Sequence, residues 1–291
     1  MIGVCFLVQG KLDEADDVFW DLLPILRKKG MIPRENLVLY LLATINSFRG
    51  AFAEAEELML EVHARLDTSS SPILKSFYLA FLIEILLAQE KIAKSHEHLI
   101  QLEELAKKFP LPEVESSYLI ARSQLNLKEL QLNSALQDCE RAKELAARMA
   151  HHGILPKAIK INIQILLEMY LLRRKPQLLT QIEVLLAELQ DISQRNRQME
   201  PYSQSILLQG MLACASFDLT QALEYFQRAK NFAEEHGLGR IQQSATHQLT
   251  LLNDQIQHLQ HLHALSPKAY EQAQMQEMAS YLNEIQRFLE R

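Results

Sequence analysis

The chain repeats one helical unit about every 40 residues along most of its length, a period in the range of known repeat architectures. The clearest copy is "DLTQALEYFQRAKNFAEEHG", residues 218–237, in which Ala222, Phe226 and Ala229 share one helical face because they are spaced by four and three. A template of a turn residue, a small residue, a large apolar residue and a further apolar residue finds five more copies. The turn residues of the six copies stand at positions 10, 50, 90, 130, 175 and 217. Such nearly regular spacing is typical of solenoids built from one supersecondary unit per repeat.

A second helical segment precedes the repeated helix in each unit after the first. These segments begin with turn residues and a proline, which the first turn of a helix tolerates, and they cover 34–49, 71–89, 112–128, 155–174 and 201–216. We therefore predict an all-α protein with at least twelve helices and no sheet. Its architecture is expected to be a right-handed α-solenoid of six helix-turn-helix repeats over residues 1–237, followed by a C-terminal capping helix pair over residues 238–291. Hairpins should break near positions 30, 70, 111, 153 and 199.

Small side chains recur where the two helices of each hairpin should cross. A short side chain lets two helix backbones approach, and the template places one on each second helix: Ala15, Ala55, Ser95, Ala135, Thr180 and Ala222. The matching small residues on the first helices are Gly3, Ala43, Ser123 and Gly210. In the third and fifth units Ile83 and Glu168 stand at the aligned place. We expect a looser or shifted pairing in these two hairpins.

The pattern resembles the tetratricopeptide repeat. The segment "LLQGMLACASFDLTQALEYFQRA" is its best copy, with a small residue, a turn, an alanine, a large apolar residue and an alanine in the family's order. The usual unit has about 34 residues, and the longer units here are similar to the helical repeats of bacterial signal-responsive transcription activators and of kinesin light chains. The resemblance covers residues 1–237 and implies a solenoid with a concave interaction surface. Because Gly3 lies so close to the start, the first helix is truncated, and we favour a fragment of a longer protein over a frayed N-terminal helix.

Composition and charge disfavour two classes of partner. The net charge of -6 argues against bulk nucleic-acid binding, which needs a positive field. The most apolar stretch, residues 73–88, contains Lys75 and Glu84 and is shorter than the roughly 20 apolar residues of a membrane span, so we interpret it as a buried central helix. No signal-peptide pattern opens the sequence. Apolar helical contexts predict buried thiols in a reducing, cytoplasmic compartment for all three cysteines, Cys5, Cys139 and Cys214.

The sequence lacks the common motifs of catalysis and nucleotide binding. The densest titratable group is His258, His261 and His263, where residues three apart share a helical face. No cysteine lies nearby, and we interpret the group as solvated and non-ligating. Glu84 and Glu168 are interpreted as isolated carboxylates at a groove edge. We therefore expect no enzyme activity, no metal and no cofactor.

One segment of this acidic chain is basic. Residues 141–175 hold eight basic side chains against two acidic ones, a net +6. Such a belt suits an acidic peptide or a phosphate-bearing partner, and the alternative is an ordinary solvated face. The candidate partner-binding residues are Arg141, Arg148, Lys157, Lys160, Arg173, Arg174 and Lys175.

Two further helices are predicted after residue 237. The second begins at Ser266-Pro267 and carries a heptad-like apolar seam at Met275, Met278, Leu282, Ile285 and Leu289. A seam of this kind must be covered by something. Three coverings remain open: the helix folds back as a cap, docks onto a second copy in a homodimer, or occupies the groove of the solenoid.

Together these features predict a protein-protein interaction scaffold or adaptor that binds a peptide or helical partner in a concave groove. The alternative is a ligand-sensing, regulatory domain of a larger signalling or transcription-activator protein. Neither hypothesis involves a membrane or direct contact with nucleic acid.

Overall fold

The computed structural model describes residues 2–66, 70–149 and 153–265, and within these ranges it contains thirteen helices and no strand. Prolines occupy the first turn of several helices, as at Pro72, Pro112 and Pro176, where a backbone N–H is not needed. The helices are α1 (Ile2–Val8), α2 (Leu12–Lys28), α3 (Ile32–Arg49), α4 (Phe52–Ala64), α5 (Pro72–Ala88), α6 (Ile92–Lys108), α7 (Pro112–Lys128), α8 (Leu132–Arg148), α9 (Ile154–Arg173), α10 (Pro176–Arg195), α11 (Met199–Ala215), α12 (Leu219–Glu235) and α13 (Gly239–Leu265). The predicted breaks between hairpins are confirmed.

The first twelve helices pair into six hairpins, and the predicted right-handed α-solenoid of six helix-turn-helix repeats is confirmed. The odd-numbered helices form an inner layer, in which α5 packs on α7, α7 on α9, α9 on α11 and α11 on α13. Inner helices are buried on most sides, as in α9, where 15 of 20 residues are buried. Outer helices bury a single stripe, as in α12, which is the pattern expected of an amphipathic surface helix.

The predicted close crossings are present at both ends of the array. In the first hairpin Gly3 lies against Phe19, and a Cβ added to Gly3 would stand 2.6 Å from Phe19 Cε1. In the sixth hairpin a Cβ on Gly210 would stand 2.4 Å from Phe226 Cε1. Each aromatic ring therefore fills the space that a glycine on the partner helix leaves free.

The predicted register of the fifth hairpin is wrong. Thr180 is exposed, and Val184, the predicted large apolar contact, is 63% exposed. The buried stripe begins instead at Ile182, and the interval from the preceding crossing residue, Ala135, is longer than any other between successive crossings. The longer unit follows from the extra turn of α9 and α10, which have 20 residues each, whereas most of the other helices have 17.

In this register the first-helix residue at the fifth crossing is Tyr170. The two crossing positions of a hairpin have the same separation in sequence throughout the array, as at Ser123 and Ala135, where the Ser123 hydroxyl donates to the Ala135 carbonyl oxygen at 2.8 Å. Tyr170 is mostly buried and Ile182 is fully buried. Glu168, which the sequence alignment placed there, lies two positions earlier and is also buried. The fifth crossing therefore joins two large side chains, whereas four of the other hairpins pair two small ones, and the expected shift is confirmed in this hairpin.

A left-handed backbone residue ends the first helix in each hairpin. Glycine supplies it at Gly10 and Gly50, where positive φ carries no Cβ penalty. The other four turns use residues with a side chain: Glu90, Leu130, Arg174 and Phe217. Five of these six positions are the predicted turn residues, and the fifth turn lies at Arg174 rather than Lys175.

Polar pairs join successive repeats in the first half of the array. Each pair links an outer helix to the end of the next inner helix, and its members are 33 residues apart: Asp16 with Arg49, Glu56 with Gln89, and His96 with Glu129. The pairs recur once per repeat, at equivalent positions of successive units. At the next step, 40 residues after His96 and Glu129, the two positions hold Leu136 and Met169, so the series stops before the fifth unit.

The two ends of the superhelix meet, which the sequence did not predict. α13 packs against α3 as well as α12. The turn before α13 contacts the first two repeats, since a Cβ on Gly239 would stand 2.6 Å from the backbone oxygen of Arg49 and one on Gly10 would stand 2.9 Å from His236 Nδ1. The inner helices therefore form a ring, and the concave side of the array is the interior of that ring. The predicted seam in the last segment lies outside the described residues: Met275, Met278, Leu282, Ile285 and Leu289.

The prediction of buried thiols is correct for two cysteines and wrong for one. Cys139 and Cys214 are buried, and burial raises the pKa of the Cys139 thiol to about 12. Cys5 is exposed. It lies on α1, which packs mainly against α2 and is therefore covered on fewer sides than the inner helices of central repeats.

Candidate functional site

The ring of inner helices surrounds a cavity of about 270 Å³, which we call the interior cavity. Its walls come from α1, α3, α5, α9, α11 and α13, so both ends of the array contribute. The first turns of α9 and α11 reach it through Pro156 and Pro201, and the first turn of α13 reaches it through Arg240. The closure of the superhelix thus brings walls from both ends of the array around this space.

Five charged side chains line the interior cavity: Glu84, Lys157, Lys160, Glu200 and Arg240. Lys157 Nζ donates to Glu84 Oε2 at 2.5 Å, and Arg240 Nη2 donates to Glu200 Oε1 at 2.6 Å. Lys160 Nζ lies 3.9 Å from the other Glu84 oxygen. Two carboxylates therefore face three cations, which leaves one positive charge in excess.

Burial and these cations act in opposite directions on Glu84. Desolvation favours the neutral acid, but attraction to Lys157, Lys160 and Arg240 outweighs it and lowers the pKa of Glu84 to about 2. Desolvation dominates for Lys160, whose pKa is lowered even though Glu200 and Glu84 attract its charge. The cavity thus holds an ionised carboxylate and an ammonium group that burial disfavours.

Aromatic and apolar side chains also line the interior cavity. Tyr40 packs edge-on against Phe81, with ring centroids 5.2 Å apart, and both rings line the cavity together with Phe48 and Met199. Burial, reinforced by the charge of Glu84, raises the pKa of Tyr40 to about 12. A mostly apolar lining with a few charged side chains is the usual composition of a small-ligand site.

Glu84 was interpreted from the sequence as an isolated carboxylate, and the structure corrects this. Its main partner, Lys157, lies 73 residues away, on the inner helix two repeats later. The only local signal was the pair Lys157 and Lys160, which share a helical face at the start of a long apolar helix. Pairing across the interior depends on the superhelix and leaves no mark within a repeat.

The structure does not gather the seven candidate partner-binding residues on one face. Lys157 and Lys160 point into the interior cavity, whereas Arg173, Arg174 and Lys175 lie at the far end of α9, roughly 20 Å away at about 1.5 Å per residue.

The remaining basic side chains of the segment, and the charged turn, are placed on the outer surface. Arg141 pairs loosely with Glu115 and Glu144, and Arg148 is exposed. Arg173 donates to Asn133, and Arg174 lies over the ring of Tyr170. Lys143, outside the candidate set, pairs with Glu188. The +6 segment is thus divided between the interior cavity and separate surface contacts.

Two further features concern metals and membranes. Within the described residues no group of three or more His, Cys, Asp or Glu side chains is arranged to hold a metal ion. The side chains of His261 and His263, from the predicted histidine group, lie outside that part. None of the helices in the described ranges is long and apolar enough to cross a bilayer.

Comparison with known proteins supports the fold. No family model matches the chain, and no curated protein matches its sequence. The crystal structure of a Rap protein complexed with competence and sporulation factor is similar with a TM-score of 0.55 and 12% identity, over 99% of this chain and 95% of that one. A tetratricopeptide repeat protein from Parabacteroides merdae is similar with a TM-score of 0.37 and 15% identity, over 84% and 96% of the two chains. With its six hairpins and small-residue crossings, the chain has a helical-repeat fold of the tetratricopeptide type.

Proposed function

We propose that this chain is a protein-interaction module that binds a short peptide segment in its interior cavity. The observation that carries the proposal is the cavity at the centre of the ring, whose lining combines aromatic and apolar side chains with charged ones. A Rap protein of similar fold forms a complex with competence and sporulation factor, which is consistent with a binding role for a helical-repeat array.

The size of the cavity selects between the two partners predicted from the sequence. A helix with its side chains is about 10–12 Å across, so one turn of about 5.4 Å occupies roughly 500 Å³. The cavity, of about 270 Å³, is smaller than that. A few residues of an extended peptide fit such a volume far better. We therefore favour a peptide over a helical partner in the interior.

A selection experiment tests the proposal. A random peptide library is passed over the immobilised protein and over the variant Thr44→Trp, in which the indole fills the cavity from α3. The matched control is Val184→Trp, which adds the same ring to an exposed site on α10. Melting curves verify that both variants fold.

Peptides enriched by the wild type and by Val184→Trp should be lost with Thr44→Trp. A smaller blocking variant, Thr44→Phe, serves if the tryptophan unfolds the protein. Equal enrichment on all folded variants would show that peptides bind elsewhere and would overturn the proposal.

Predictions about the outer surface, oligomeric state, localisation and regulation stay hypotheses. Charge reversal at Arg173, Arg174 and Lys175 is expected to weaken binding of an acidic partner on the outer surface and to reduce its salt sensitivity. A homodimer through the last segment, cytoplasmic localisation and a regulatory, ligand-sensing role in a larger protein also stay predictions.

A further inference from the structure

The cation that is least compensated in the interior cavity is Lys160. Its residue is 8% exposed, so its ammonium group is withdrawn from bulk water. Lys157 and Arg240 each donate a short hydrogen bond to a carboxylate, whereas Lys160 has only the longer approach of 3.9 Å to Glu84. Among the described residues, no side chain or carbonyl accepts a hydrogen bond from Lys160 Nζ.

A buried ammonium group has three N–H donors, and leaving them unused is costly. Lys160 is held near the cavity because Ile159 and Ile161, its neighbours on α9, are fully buried in the core and fix the helix. The base of its side chain is therefore fixed at the wall of the cavity. Its acceptors are therefore supplied by what fills the cavity, which is water in the free protein and the ligand in a complex.

We propose that Lys160 is the anchor for a carboxylate of the bound peptide, either an acidic side chain or the C-terminal group. This inference rests on the proposed function and names the chemistry of its ligand. One carboxylate balances the single positive charge in excess, whereas a phosphate dianion would make the net charge of the cavity negative. The aromatic wall of Tyr40 and Phe81 would receive an apolar side chain next to that carboxylate.

The test uses two small probes that differ only in charge: N-acetyl-phenylalanine and N-acetyl-phenylalanine amide. Calorimetry measures the binding of each to the wild-type protein. We expect the acid to bind about tenfold tighter than the amide, as a charge-assisted hydrogen bond implies. Inorganic phosphate, measured in the same way, should bind more weakly than the acid.

The variant Lys160→Met keeps the approximate length of the side chain and removes its charge. The two remaining carboxylates and two remaining cations balance, so we expect the variant to fold, and melting verifies this. It should bind acid and amide equally. Lys175→Met, at an exposed position on the outer turn, should keep the wild-type preference. Glu84→Gln raises the excess charge to two and should strengthen the preference for the acid.

Each other outcome has a definite meaning. Equal binding of both probes to the wild type, a preference that survives in Lys160→Met, or a stronger response to phosphate would overturn the carboxylate inference. Failure of the acid to bind at millimolar concentration would do the same. None of these results removes the proposed function, which fails only if library peptides ignore the blocked cavity.

Discussion

The fifth and sixth hairpins have side chains of very different size at equivalent helix crossings. In the sixth, Gly210 and Ala222 let the helices approach until the ring of Phe226 fills the gap. In the fifth, Tyr170 and Ile182 fill that space with bulk. Both pairs have the same separation in sequence. The comparison teaches that the repeat keeps the position of a crossing more strictly than the size of the residues that stand there.

The same fifth hairpin also differs from the regular units in what it supplies to the interior. Its inner helix, α9, brings Lys157 and Lys160 to the cavity, and Lys157 reaches back to Glu84 of the third unit. The series of polar pairs between successive repeats ends just before it. The irregular unit is thus the one that carries most of the positive charge of the candidate site.

The largest expected effect comes from giving the fifth crossing the residue that four other units use. Ile182→Ala removes a fully buried side chain and leaves a void at the crossing, which the buried ring of Tyr170 on the partner helix cannot fill. We expect the free energy of unfolding to fall by about 2–5 kcal/mol. Thermal or denaturant melts measure it. A loss of less than about 0.5 kcal/mol, typical of a substitution at an exposed site, would mean that Ile182 is not at the crossing.

The second-largest effect concerns the ion pair between Glu84 of the third unit and Lys157 of the irregular fifth unit. Glu84→Gln removes the charged acceptor of Lys157, and we expect a loss of about 1.5–3 kcal/mol near neutral pH. Because the folded pKa of Glu84 is lowered from 4.5 to about 2, its contribution is present above pH 4.5 and is lost as the pH falls to 2. The difference in stability between wild type and variant should therefore shrink over this range. A constant difference would contradict the pairing.

A third prediction compares the two registers directly. Ala222→Leu should overpack the sixth crossing, and Ala55→Leu and Ala135→Leu should do the same in their hairpins, each at a cost of about 1–3 kcal/mol. Thr180→Leu is the matched control: the sequence alignment makes it equivalent, but the structure leaves it exposed, so we expect a change within about 0.5 kcal/mol. Equal losses of stability at positions 180 and 222 would show that Thr180 lies at the fifth crossing, as the sequence alignment predicted.

The smallest effect concerns the turns. Leu130 adopts φ 58°, a conformation that glycine adopts in the first two hairpins. Leu130→Gly should relieve that strain and raise stability by about 0.5 kcal/mol after the added chain entropy is subtracted. Leu37→Gly, at a similarly exposed position inside α3, should lower it by about 1 kcal/mol. A loss at both positions would indicate that the side chain of Leu130 contributes packing that outweighs the strain.

The sequence alone determined the repeat, its hairpin breaks and the crossings at Gly3, Ala43, Ser123 and Gly210. These features are local: helical periodicity and the need for a short side chain where backbones meet both leave a mark within one unit. In the fifth unit the sequence pattern is ambiguous, because "QLLTQIEVLLAEL" carries apolar residues on more than one helical face. Thr180 and Ile182 therefore begin equally regular stripes. Only packing against α9 and α11 decided between them.

Only the tertiary structure decided that the array closes on itself and that Glu84 meets Lys157. A solenoid accumulates a small rotation at each repeat, and the sum over six repeats brings Gly239 against Arg49 and α13 against α3. No single repeat encodes that sum, and contacts across the interior join residues that no periodicity relates. The interior cavity, with the excess charge of Lys160, therefore follows from the accumulated geometry of the superhelix, whereas the hairpins around it follow from local sequence.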